Sequence, residues 1–130
     1  MRPWRDHLEP DDAMVAGGGP VPHGLLDGGT LPALWGDRWD RHPQDRLWFE
    51  GGRWWTAGEF AEATVRAAGR LRAAGLRPGD RMVWSTDTSV AALVAHVGAL
   101  RAGLVVVPAN TAYSERELSH IVTDLSLIHI

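Results

Sequence analysis

The sequence predicts an α/β protein built on a βαβ unit, with a helix and a β-hairpin ahead of that unit. Three observations predict it. Arg81–Ser85 and Leu104–Val107 are short apolar runs, the second β-branched after its leucine and ended by Pro108. Between them, Val90–Leu100 is rich in Ala and Val over three helical turns. Upstream, Glu50-Gly51-Gly52 separates two aromatic runs, Leu47–Phe49 and Arg53–Trp55. Two apolar strands joined by a crossover helix are expected to pair in parallel, to be buried on both faces and to connect with a right-handed turn.

Composition narrows the class. The chain has 130 residues and a net charge of −3, which leaves room for at most one modest domain. That charge, with an isoelectric point near 6.0, gives no footprint for nucleic acid or an anionic membrane. Cysteine is absent, which excludes disulfides, thiol catalysis and Cys-based metal sites. The opening Met1-Arg2-Pro3-Trp4-Arg5-Asp6 lacks the apolar core of a signal peptide. Val90–Leu100 is too short to span a bilayer and contains His96. A cytoplasmic protein without a transmembrane segment is therefore expected. All 13 basic residues are arginine, so chemistry that needs a lysine cannot run on this chain alone.

Taken in order, residues 1–29 read as an irregular leader punctuated by Gly17-Gly18-Gly19-Pro20 and Asp27-Gly28-Gly29. His7, Glu9, Asp11 and Asp12 invite a metal reading, but nothing in their spacing fixes a geometry, and a solvated leader is preferred. Thr30 can cap a helix from Leu31 to Arg41, with Pro32 in its first turn. Leu31, Leu34, Trp35 and Trp39 recur at helical spacing, and the two tryptophans read as core stripe before cofactor stack. The aromatic runs around Gly51-Gly52 predict a hairpin. Thr56-Ala57-Gly58-Glu59 is a capping box opening a helix to about Ala74, with Phe60, Thr64, Ala67, Leu71 and Ala74 as its buried stripe. Gly75 is the expected left-handed terminator.

Pro78-Gly79-Asp80 reads as the turn into the first strand, with Asp80 stabilising the turn and not serving as a catalytic acid. His96, alone in its helix, reads as structural. Pro108 is expected to stop the strand ladder. Ala109–Tyr113 then forms a loop, and Ser114-Glu115-Arg116-Glu117 is a second capping box, opening a helix through Leu118, Ile121 and Val122. A loop at the C-terminal end of a parallel strand is where α/β proteins tend to place ligands. A dinucleotide-binding reading is disfavoured, because Ser85-Thr86-Asp87-Thr88 stands where G-x-G-x-x-G belongs.

An ordered series carries a family resemblance: Gly75-Leu76-Arg77-Pro78-Gly79-Asp80-Arg81, then Gly98-Ala99-Leu100-Arg101-Ala102-Gly103, then Val107-Pro108-Ala109-Asn110. Over roughly Leu31 to Asp124 the chain resembles the N-terminal region of AMP-forming acyl-CoA synthetases, members of the adenylate-forming superfamily. The resemblance implies an incomplete fold: residues 30–124 as the leading part of an AMP-binding domain. It implies a parent reaction in which a carboxylate attacks the α-phosphorus of ATP to give acyl-AMP and pyrophosphate, and CoA then displaces AMP. ATP, CoA and Mg²⁺ are the implied cofactors and a carboxylic acid the substrate. Aryl-CoA ligases, malonyl-type synthetases and peptide-synthetase adenylation domains share this region, so the acid stays open. In such enzymes the loop after the second strand lies on the side that CoA approaches, which makes Ala109, Asn110 and Thr111 candidate CoA-facing residues.

The resemblance also shows what is missing. The family's Ser/Thr/Gly-rich phosphate loop ending in lysine has no counterpart, and neither has its catalytic lysine. No catalytic residue and no metal ligand is therefore assigned, no cofactor is expected on the isolated chain, and the isolated chain is expected to be inactive. Strands lacking sheet neighbours would also leave it prone to aggregate. The alternative is a stand-alone α/β binding or interaction module without chemistry. The last six residues, Leu125–Ile130, differ in character: two of the chain's three isoleucines fall there. LSLIHI is the translation of CTG TCT CTT ATA CAC ATC, a transposon-end adapter string, and 125–130 is expected to be a non-native tail.

Overall fold

In the computed structural model, which describes residues 29–124, eight elements follow one another. They are α1 (Leu31–Arg41), β1 (Arg46–Glu50), β2 (Arg53–Thr56), α2 (Ala57–Ala73), β3 (Arg81–Trp84), α3 (Val90–Arg101), β4 (Val105–Pro108) and α4 (Glu115–Asp124). The leader reading up to residue 28, its acidic cluster with His7, and the tail 125–130 lie outside the described residues. The chain divides between Asp37 and Arg38 into two units, which are described separately.

Of the first unit, residues 29–37 are described. Thr30 accepts the Ala33 N–H on its hydroxyl at 3.3 Å, the expected helix start. Leu31, expected on the apolar face, is 47% exposed.

In the second unit, β1 and β2 pair antiparallel with Glu50 opposite Arg53, so Gly51-Gly52 is a two-residue loop. Both glycines have positive φ, 61° and 78°. That is the type I′ geometry whose twist matches a hairpin's strands. The pair Trp48–Trp55 sits on one face and Phe49–Trp54 on the other. Trp48 packs on Phe60 of α2 at 5.7 Å between ring centroids, and Trp39 meets the same ring edge-on at 5.3 Å. Phe60 is 1% exposed.

The Thr56–Glu59 capping box forms as expected. The Glu59 N–H donates to the Thr56 hydroxyl (3.3 Å) and the Thr56 N–H donates to the Glu59 carboxylate (2.8 Å). The buried stripe of α2 differs from expectation in its second half. Phe60 and Thr64 are buried, but Ala68 takes the place expected for Ala67, and Ala74 is exposed. A four-residue step from Thr64 reaches Ala68, and the real helix keeps that row facing α3. Thr64 is fully buried, and its hydroxyl donates to the Ala61 carbonyl at 2.8 Å, so it carries no unpaired polar group. Gly98 lets α3 approach: a Cβ there would lie 2.6 Å from the Ala67 Cβ.

Helices α2 and α3 end alike. The Gly75 N–H donates to the Arg72 carbonyl and the Leu76 N–H to the Leu71 carbonyl; the Gly103 and Leu104 N–H groups repeat this on Leu100 and Ala99. Gly75 and Gly103 both hold positive φ, 96° and 83°. Only Gly75 was expected in this role. These reciprocal bonds satisfy helix carbonyls and turn the chain directly into the next segment. Ala68, Ala99, Ala102 and Leu104 form a small buried cluster, flanked by Leu71, Leu76, Met82 and Val106. Leu104 therefore belongs to this cluster and precedes β4, whereas it was expected inside the strand.

Strands β3 and β4 pair in parallel, from Arg81 opposite Val105 to Trp84 opposite Pro108. Pro108 is part of β4, and the ladder continues past it through the Ala109 N–H, which donates to the Trp84 carbonyl at 2.8 Å. Proline cannot donate at its own position, but the next residue can. The strands are not buried on both faces: none of their residues is buried and Val105 is 48% exposed. Among the described residues no third strand pairs with β3 or β4, and Met82 and Val106 meet the buried cluster on one side only.

Candidate functional site

The site is the C-terminal edge of the β3–β4 pair, where two loops emerge side by side. It begins upstream at the Pro78-Gly79 turn. The Arg77 N–H donates to the Asp80 carboxylate at 2.8 Å, and the Asp80 N–H donates to the Arg77 carbonyl at 3.0 Å. Gly79 has φ of 92°, as the third position of a type II turn requires. The Gly79 N–H reaches the Gly103 carbonyl and the Val105 N–H the Asp80 carbonyl. Asp80 thus builds the turn that sets the register of β3 on β4, the role expected for it.

Beyond Trp84, the segment Ser85–Thr88 leads to Ser89, which caps α3 by accepting the Ala92 N–H at 3.0 Å. The Val90 N–H donates to the Glu50 carboxylate at 2.8 Å, across 40 residues of sequence. A hairpin side chain therefore completes the start of the crossover helix. Its local sequence marks Glu50 only as a neighbour of the turn, and nothing within a few residues of it signals a contact 40 residues away. Ser89 was missed as well, although a serine directly ahead of an apolar helical run is a recognisable signal.

A cavity of about 190 Å³ opens here, lined by Trp84, Thr86, Asp87, Thr88, Leu93 and His96. His96 is half-buried and faces this cavity.

Across from Trp84, Ala109 is half-buried and Asn110 and Thr111 are exposed. The Asn110 side-chain oxygen accepts the Ala112 N–H at 2.9 Å, and its carbonyl accepts the Tyr113 N–H at 3.2 Å. Asn110 therefore shapes its own loop. The loop runs into the second capping box, where the Ser114 N–H and hydroxyl both donate to the Glu117 carboxylate (2.8 and 2.7 Å). These bonds hold the Glu117 carboxyl below its ordinary value, with the Ser114 hydroxyl the larger cause and its backbone the second. Glu59 is lowered likewise, first by the Thr56 N–H. On α4, Leu118, Ile121 and Val122 are half-buried.

A second, larger cleft of about 560 Å³ lies away from the strand ends, among Trp39, Asp40, Val65, Arg66 and Arg101. The Arg101 guanidinium lies 5.6 Å from the Trp39 ring centroid. Among the described residues no three His, Asp or Glu come together to hold a metal ion. None of the described helices is long and apolar enough to cross a membrane.

The described residues do not fit a nucleotide triphosphate. The turn after β3 carries Asp87 where a phosphate cradle would carry glycines, and there is no lysine to meet the phosphates.

Fold and edge together define a parallel βαβ unit preceded by a helix, a hairpin and a capped helix. The family model described as AMP-binding enzyme matches residues 36–127, and the chain belongs to that family. It is 38% identical over 74 residues to a feruloyl-CoA synthase of Amycolatopsis sp, covering 57% of this chain and 15% of that protein. Apo MatB of Rhodopseudomonas palustris superposes with a TM-score of 0.69 at 36% identity, over 75% of this chain and 19% of that one. The N-terminal subdomain of Klebsiella oxytoca NpsA gives a TM-score of 0.70 at 22% identity, over 75% and 26%. The fold is thus that of N-terminal subdomains of adenylate-forming enzymes, and the chain spans well under a third of the length of each relative.

Proposed function

We propose that this chain is the leading part of an AMP-forming acid–thiol ligase, an acyl-CoA synthetase that converts ATP, a carboxylic acid and CoA to acyl-CoA, AMP and pyrophosphate through an acyl-AMP. The observation that carries the reading is the identity with a feruloyl-CoA synthase, joined to a family match across residues 36–127. Magnesium is the expected counter-charge to the triphosphate in such a reaction. The role of the present residues is structural and peripheral: they supply two parallel strands, their crossover helix and the loop Ala109–Thr111, which is proposed to face CoA. Since the described residues do not fit ATP, no chemical step is assigned to them, and the isolated chain is proposed to be inactive. Cytoplasmic placement belongs to the same proposal, in keeping with its cosubstrates.

The test is pyrophosphate release from purified residues 1–130 with ATP, Mg²⁺ and a mixture of aliphatic and aromatic carboxylic acids. The expected result is no release above a protein-free blank. Turnover above it would show that the chain carries chemistry of its own.

A further inference from the structure

Helix α2 turns one row of residues to solvent. Glu62, Val65, Gly69 and Arg72 recur at helical spacing, which stacks them on a single face. All are exposed, on the side of the helix away from buried Phe60, Thr64 and Ala68. Val65 is 55% exposed although apolar and in mid-helix. Gly69 makes a notch one turn further on, with open space where its Cβ would stand. The ends of the row carry opposite charge, Glu62 before Val65 and Arg72 after Gly69.

An acid at one end, a base at the other and a knob beside a notch make the row complementary to itself turned end for end. Antiparallel pairing of two such helices sets Val65 of each copy over Gly69 of the other. Glu62 precedes Val65 by the same step that separates Gly69 from Arg72. The same register therefore brings Glu62 of each copy to Arg72 of the other. A two-fold axis makes both contacts occur twice, and the small residue at the crossing lets the helices approach closely.

The contacts within one chain leave these charges available. Glu62 holds Arg66 at 3.4 Å, an exposed pair on one helix that contributes little. Arg72 donates to the Arg101 carbonyl at 2.7 Å and is in no ion pair among the described residues. The cleft of about 560 Å³ beside the row, walled by Asp40, Glu62 and Val65 with Arg66 and Arg101, leaves room for an incoming side chain.

We propose that this face of α2 is an interface between two copies of the chain, paired antiparallel about a two-fold axis. It is independent of the ligase reading and of the open edges of β3–β4. A two-fold contact closes at the dimer, whereas open strand edges can add further copies.

The test is sedimentation equilibrium of residues 1–130, unaltered and as Glu62→Arg and Arg72→Glu, each checked for fold by circular dichroism. The unaltered chain is expected to form a dimer. Each altered chain is expected to dimerise at least about tenfold more weakly, because both pairs then oppose like charges. An equimolar mixture of the two is expected to regain the unaltered affinity, because both pairs again unite opposite charges. Cross-linking gives a second reading that needs no resolved equilibrium. The chain has no cysteine, so Val65→Cys and Gly69→Cys chains, mixed under oxidation, are expected to link to each other faster than either links to itself. Equal association in every sample, or a monomer throughout, overturns the inference. So does a weakening that the mixture fails to reverse, or cross-linking with no preference for the mixed pair.

Discussion

Three glycines separate backbone need from packing need at the level of single residues. Gly69 is exposed in mid-α2 and a Cβ there meets nothing within 4 Å. Gly69→Ala is therefore expected to stabilise by about 0.5–1 kcal/mol, because only unfolded-chain entropy changes. Gly98 is also helical, but its Cβ would press on the Ala67 Cβ at 2.6 Å and on backbone at 3.2 Å. Neither neighbour is the end of a flexible side chain, so Gly98→Ala is expected to cost ~1–3 kcal/mol despite better helix propensity. Gly103 combines φ of 83° with a Cβ position 3.0 Å from Pro78, and Gly103→Ala is expected to cost at least ~1–2 kcal/mol. Urea midpoints for the three variants, measured with unchanged m-values, check the order 69 above wild type and 98 and 103 below it.

Among the elements, the caps give a pH signature. Glu59 and Glu117 have folded-state values lowered from 4.5 by hydrogen bonds to Thr56 and Ser114. A lowered carboxylate contributes stability that is complete above its unfolded value and lost as pH falls through the folded one. Stability should thus decline below about pH 5, and the decline should be smaller in Glu59→Gln/Glu117→Gln. Thermal melts across pH 3 to 7, on the order of one unit apart, check this; identical profiles would contradict it. The hairpin makes a sharper claim. Gly51 and Gly52 both need positive φ, so Gly51→Asn should preserve the Phe49–Trp54 ring contact while Gly51→Val should lose it, as read by near-ultraviolet circular dichroism.

These elements were legible in the sequence because each is decided within a few residues. Thr56 with Glu59, Ser114 with Glu117, Pro78-Gly79-Asp80 and Gly51-Gly52 specify their own local bonds. What depends on distant chain was not legible. The shift of the α2 stripe from Ala67 to Ala68 is set by where α3 lies, and the Glu50–Val90 bond by where the hairpin lies. Pro108 differs from expectation for a simpler reason: it cannot donate in the ladder, yet it can still occupy the strand's last position.

On the scale of the whole molecule, the half-exposed β3–β4 pair is the feature that ties structure to function. Two parallel strands with Val105 48% exposed present open edges and apolar faces, which favour association. Concentration-dependent sedimentation of residues 1–130 is expected for that reason, and a monomer that melts cooperatively on its own would favour the stand-alone module. Strand order marks Ala109–Thr111 as a loop at the strand ends, whereas the carboxylates on the neighbouring helix starts arise from contacts that only the fold reveals.

The most direct measurement exchanges the matched segment. Residues 36–124 of this chain, placed in the Amycolatopsis feruloyl-CoA synthase in place of its corresponding segment, are assayed for feruloyl-CoA formation. The account predicts a folded chimaera that still forms the thioester. A folded chimaera that forms none, with the parent synthase active alongside, would contradict it.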